Sequence, residues 1–67
     1  MNIKLNNKET VISEKTTVKE LLANNNIKNH NGIAIAINNI VISKKNWDNH
    51  FLKNGDKVVV IEAISGG

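Results

Sequence analysis

Two glycines close the chain, Gly66 and Gly67, after Glu62-Ala63-Ile64-Ser65. Neither carries a Cβ, so a Gly-Gly end is slender and free in φ. Such an end can thread a narrow channel and present a carboxylate with no side chain beside it. That suits a carboxylate activated by another enzyme. Attack of the carboxylate on ATP gives an acyl-adenylate, a mixed anhydride open to a sulfur donor or a thiol. The plainer reading is a frayed terminus, which is how most domains end. What stands upstream decides between the two.

The other reactive residue types do not assemble. There is no cysteine, hence no disulfide, thiolate metal site, thiol nucleophile or redox pair. His30 and His50 are the two histidines. Asp48-x-His50 offers two ligands at loop spacing, which falls short of a metal site, and both histidines read as surface residues. Ser13, Ser43 and Ser65 have no local histidine–carboxylate pattern. A triad is built in space, but 67 residues leave little room for the pocket it needs. Asp48, Asp56 and Glu62 are too separated to read as an acid–base pair. Gly32 and Gly55 read as turn residues, not as a phosphate loop. The chain is therefore expected not to be an enzyme in its own right, and to bind neither cofactor nor metal.

Nine basic and six acidic residues give a net charge of +3. An acidic partner would be favoured, but the lysines are scattered from Lys4 to Lys57 and only Lys44 and Lys45 are adjacent. A nucleic-acid surface would need a basic stripe with aromatics, and only Trp47 and Phe51 are available. A solvated surface is the reading taken, with no nucleic-acid or membrane partner. The opening MNIKLNNKETV alternates and has no apolar stretch of signal length. No segment approaches the roughly 20 apolar residues of a membrane span, so a cytoplasmic location is expected. The wealth of Asn, Ile and Lys reads as compositional bias.

Several elements must position the tail. Ile3 and Leu5 alternate with Asn2 and Lys4, predicting a half-buried strand. Asn6-Asn7 predicts a turn, and Thr10 to Ser13 the return strand of a hairpin. Thr17 and Glu20 form a capping-box pair before Val18, Leu21 and Leu22, one stripe of a helix over about 18–25. Asn24 to Asn26 should end it. Ile33 to Asn38 predicts a strand with isoleucines on one face and alanines on the other, where something packs close. Asn38-Asn39 turns the chain into a short strand, Ile40 to Ile42. The segment from Ser43 to Phe51 reads as an irregular helical turn burying Trp47 and Phe51. Asn54-Gly55 turns it into the last strand, Lys57 to Ile61 or slightly beyond.

One helix between two groups of strands should cover one face of one sheet. The expected fold class is α+β, a ubiquitin-like β-grasp with a mixed sheet of about five strands and one main helix on one face. The first and last strands are the plausible central partners. The domain should cover 1–63, with 64–67 a flexible carrier tail. The Val/Ile-rich last strand suits burial on both faces. If Val58 and Val60 point at the helix, Val59 and Ile61 point away. Either they form a docking patch, or the short strand and the Trp47 turn wrap over them. A last strand running straight into Gly-Gly favours a working end over a frayed one.

With these features the chain resembles the ThiS family of ubiquitin-like sulfur carriers. The resemblance spans essentially the whole chain: TVKELL at Thr17 to Leu22, AIAIN at Ala34 to Asn38, Val41, Trp47, and NGDKVVVIEAISGG from Asn54 to Gly67. It implies that a ThiF-like adenylyltransferase uses ATP and Mg²⁺ to adenylate the Gly67 carboxylate. A sulfur donor, such as a cysteine desulfurase relay, then makes a thiocarboxylate. A ThiG-like thiazole synthase takes the sulfur into the thiazole of thiamine. Gly66 would provide clearance, Ser65 and Ile64 would line the partner's channel, and Val59 and Ile61 would dock. Members often carry Pro-Arg after the Val41 position, where this chain has Ile42-Ser43-Lys44-Lys45. The lost proline should soften that turn, and lysine lacks arginine's bidentate geometry. A molybdopterin-synthase small subunit, another Gly-Gly sulfur carrier, a non-covalent β-grasp binding module and a protein tag are the alternatives.

Deleting Gly67, or adding one residue after it, is expected to leave the circular-dichroism spectrum intact while thiazole formation stops. Normal activity of an extended, uncleaved chain would exclude a carrier end.

Overall fold

The computed structural model of the chain describes residues 1–28 and 30–62. Its elements are β1 (Asn2–Leu5), β2 (Lys8–Val11), α1 (Val18–Asn24), β3 (Ile33–Ile37), β4 (Ile40–Ile42), a 3₁₀ turn (Lys44–Asn46) and β5 (Lys57–Glu62). The five strands form one mixed sheet in the order β2-β1-β5-β3-β4. β1 and β5 run parallel, and the remaining pairings are antiparallel. This is the expected α+β ubiquitin-like β-grasp, with the first and last strands side by side.

Asparagine closes both hairpins. Asn6-Asn7 joins β1 to β2, and Asn38-Asn39 joins β3 to β4. Their φ angles are 51° and 67° in the first turn and 51° and 71° in the second. A two-residue type I′ hairpin demands positive φ at both central positions, and asparagine tolerates it better than most residues. The asparagine-rich composition thus has a structural use beyond bias. The tight first turn also sets β2. Pairing Leu5 with Lys8 starts the strand at Lys8, so it runs Lys8–Val11 and not the expected 10–13. Ile12, beyond its end, is buried in the core.

The capping box at the head of α1 forms. The Thr17 hydroxyl accepts from the Glu20 N–H at 3.2 Å, and the Glu20 carboxylate accepts from the Thr17 N–H at 3.0 Å. At the other end Asn26 has φ of 64°. Its N–H donates to the Ala23 carbonyl at 3.1 Å, and the Ile27 N–H donates to Leu22 at 2.9 Å. This paired pattern is a Schellman motif, with Asn in the left-handed position usually held by glycine. The helix stops at Asn24, one residue before the expected end.

Val18, Leu21 and Leu22 pack with Ile3, Ile35, Ile37 and Val58 in one core. Trp47 joins them at 2 % exposure, and its indole N–H donates to the Ile42 carbonyl at 3.1 Å. Phe51 was expected inside and is 55 % exposed. Its backbone pairs with Thr17 in an isolated antiparallel bridge. In extended backbone successive side chains point opposite ways. Leu52 takes the core position at 3 % exposure, so Phe51 faces out.

Thr17→Ala is expected to lower the unfolding free energy by about 1 kcal/mol, and Ile35→Ala by about 2–5 kcal/mol. Urea denaturation of the two variants measures both.

Candidate functional site

The strand that leads to the C-terminal residues is zipped on both sides. Its partners on β3 are Ile37 for Val58, Ala36 for Val59, Ile35 for Val60, Ala34 for Ile61 and Ile33 for Glu62. Its pairing with β1 covers only Lys4–Lys57 and Leu5–Val58, because β1 turns away at Asn6. Asn6 then continues the ladder. Its N–H donates to the Val58 carbonyl at 2.8 Å, and its side-chain oxygen accepts from the Val60 N–H at 2.8 Å. The side-chain amide oxygen thus takes the place of a missing strand carbonyl.

The start of β5 is fixed in the same manner. The Asn38 side-chain oxygen accepts from the Lys57 N–H at 3.0 Å, and its NH₂ donates to the Asp56 carboxylate at 3.0 Å. The second Asp56 oxygen accepts from the Lys53 N–H at 2.8 Å. Asp56 is buried and serves the turn; both its oxygens are occupied. Gly55, at φ of 89°, supplies the left-handed position of that turn.

The two faces of β5 differ at its ends, while Val59 and Val60 between them are both half-buried. Val58 is fully buried and Val60 packs against the core on the helix side. Val59 and Ile61 lie on the outer face, where expected, with Ile61 51 % exposed. Beside Val59 come Ala36 and then Val41, 70 % exposed; beside Ile61 comes Ala34. Val59 and Ala36 in this row are half-buried, and Val41, Ala34 and Ile61 are exposed. Burial of β5 on both faces, expected from its composition, is complete only at Val58 on the helix side; on the outer side Val59 is half-buried and Ile61 exposed. The alternative cover also fails. Trp47 sits in the core, on the side of the sheet that α1 occupies. The alanine face was expected to pack closely against something; Ala36 is half-buried and Ala34 is exposed. Ile64, Ser65, Gly66 and Gly67 lie outside the described residues, so the carrier-tail positions stay as read from sequence. Asn6 and Val41 had not been assigned to this site. Their place depends on strand register, which a local pattern does not carry.

The remaining candidates stay apart. Among the described residues no three His, Cys, Asp or Glu side chains gather to hold a metal. His30 meets Trp47 edge-on with ring centroids 5.3 Å apart. The His50 carbonyl accepts from the Val18 N–H at 3.0 Å. Asp48 pairs with Lys19 at 3.6 Å. Among the described residues no helix is long and apolar enough to cross a membrane.

The model of the ThiS family matches residues 2–67, nearly the whole chain and both terminal glycines. The chain belongs to the ThiS family. It is 30% identical to the sulfur carrier protein ThiS of Escherichia coli (strain K12), over 67 residues and the full length of both. Its fold is that of the crystal structure of thiamine biosynthesis protein ThiS from Geobacter metallireducens, with a TM-score of 0.86, 26% identity and complete coverage of both chains.

Against the ThiS pattern, the Ser43-Lys44-Lys45 stretch forms its turn without proline. The Asn46 N–H donates to the Ser43 carbonyl at 2.9 Å, and that of Trp47 to Lys44 at 3.1 Å. The Lys44 ammonium lies 5.8 Å from the Trp47 ring centroid, within cation–π range. Lys45 is exposed.

The two faces of β5 predict opposite responses to one substitution. Ile61→Thr should change stability by no more than about 0.5 kcal/mol. Val58→Thr, isosteric but burying an unpartnered hydroxyl, should cost about 1–3 kcal/mol. Chemical denaturation of both variants tests the assignment.

Proposed function

We propose that this chain is a sulfur carrier for thiazole formation in thiamine biosynthesis, and that its working group is the Gly67 carboxylate. The observation that carries the reading is the family match, which runs through Gly66 and Gly67 a few residues beyond the central strand of the sheet. The name of the Escherichia coli relative, sulfur carrier protein, supports the same role. The absence of cysteine fits a carrier whose sulfur rides on the C-terminus.

In this reading a ThiF-like adenylyltransferase, using its own ATP and Mg²⁺, joins a Gly67 carboxylate oxygen to the α-phosphorus and releases pyrophosphate. Sulfur from a donor, such as a cysteine desulfurase relay, then attacks the acyl carbon and expels AMP, leading to the thiocarboxylate. That group is a good sulfur nucleophile, yet it is covalently held and reaches only sites where the protein docks. A ThiG-like thiazole synthase accepts the sulfur. The carrier performs no catalysis and holds no cofactor or metal. Residues 1–63 act as the handle and 64–67 as the tail. Gly66 gives clearance, Ser65 and Ile64 line the partner's channel, and Val59 and Ile61 form the docking patch. Five residues separate the end of β5 from the carboxylate; fully extended they reach at most about 17 Å. The partner's reacting centre must lie within that distance of the docked face. The setting is cytoplasmic.

Intact-mass spectrometry tests the role. Incubation with the activating enzyme, ATP and a sulfur donor should exchange one C-terminal oxygen for sulfur. An unchanged mass, under conditions that load a known carrier, would leave an inert β-grasp binding module. Protein-sized adducts would indicate tagging.

A further inference from the structure

The outer face of the sheet carries one local arrangement that the described residues compensate only in part. Lys4 on β1 and Lys57 on β5 are direct partners in the parallel pairing, and both are exposed. Neighbouring strands are about 4.8 Å apart, so two ammonium stems rise side by side well within a Debye length of each other. Like charges placed opposite one another weaken a sheet. The next residue outward from Lys4 is Glu9 on β2, a single carboxylate for two lysines. Beyond Lys57 lies the β3–β4 turn with neutral Asn38, whose side chain is occupied by Lys57 N–H and Asp56. Among the described residues the ion pair within 4.0 Å is Lys19–Asp48, elsewhere on the surface, and neither Lys4 nor Lys57 has one. A sequence that breaks a local rule at no internal gain is a place to look for function.

The position of the pair gives it a use. Along β5 the outer residues run Lys57, Val59, Ile61, and the chain then continues to its terminal glycines. The face is cationic at one end and apolar in the middle, and it leads into the tail at the other. Lys57 and Ile61 are about 13 Å apart along the strand. An apolar patch alone fixes contact but not direction, whereas charge fixes register and speeds encounter.

We propose that Lys4 and Lys57 form an anion-recognising end of the docking face. Its occupant is the activating protein, carrying carboxylates at the margin of an apolar surface. The pair sets the direction in which the carrier lies, so that the tail points at the reacting centre. This rests on the carrier reading and adds the partner's surface chemistry to it. Two lysines without interleaved aromatics suit a protein surface better than a nucleic acid.

The experiment compares the full chain with Lys4→Gln/Lys57→Gln and Lys4→Glu/Lys57→Glu variants. Calorimetric titration against the ThiF-like adenylyltransferase is run at about 0.05 M and 0.5 M NaCl. The neutral variant should melt at a higher temperature than the natural chain, since repulsion is relieved, yet bind about tenfold more weakly at low salt. The reversed variant should bind more weakly still; the neutral variant should lose most of the salt dependence, and the reversed one should show it inverted, with repulsion relieved at high salt. Lys15→Glu/Lys53→Glu, on loops outside the sheet, should bind as the natural chain does. Equal affinity and equal salt dependence across all four chains would overturn the proposal, even if the natural chain gains sulfur normally. Tight, lysine-dependent binding of a DNA or RNA duplex would overturn it too. A natural chain that neither binds the enzyme nor changes mass would remove the carrier reading along with it.

Discussion

Val58 is fully buried, and the strand that carries it is hydrogen-bonded to a parallel neighbour on one side and an antiparallel neighbour on the other. The rest of the molecule depends on that double seam. It joins the N-terminal hairpin to the C-terminal half of the chain, so the core of Ile3, Leu21, Leu22, Ile35 and Val58 is closed only with β5 in place between β1 and β3. The same seam places Glu62, the last described residue, on the central strand of the sheet and not at an edge.

One short helix is available to cover this sheet. α1 shields the inner face with Val18, Leu21 and Leu22, and the outer face is half-buried at Val59 and exposed at Ile61. An apolar central strand therefore has one face spent on stability and one left over. Small side chains, Ala34 and Ala36, flank the leftover face, which keeps it low enough for a second protein surface to lie close. Val58 on the inner side carries the fold, while Ile61 on the outer side stays half-exposed.

A domain of 67 residues without cysteine has few staples. Asparagine supplies a substitute. It closes two hairpins at positive φ, ends the helix, and lends side-chain amides to backbone groups of β5 at Lys57 and Val60. Each such bond contributes only about 0.5–1.5 kcal/mol net. Their larger effect is to fix where each strand begins, and so which residues face inward.

The capping box, the isoleucine–alanine alternation, the asparagine turns and the terminal Gly-Gly were all legible in the sequence. Each depends on residues within a few positions of one another. So was the family, because its pattern runs the length of the chain. The end of β2, the exposure of Phe51 and the openness of the Val59–Ile61 face were not. The first was set by the hairpin register, the second by Leu52 taking the only core position on that bridge, and the third by which side the Trp47 turn occupies. The pairing of Lys4 with Lys57 lay further out of reach, since 52 intervening residues separate the two in sequence. Sequence alone determined the local backbone and the chemistry possible at the tail, because torsional preference and side-chain type act at short range. Only the tertiary structure decided which residues share the outer face of β5, because parallel register is set by the packing of distant strands around one core.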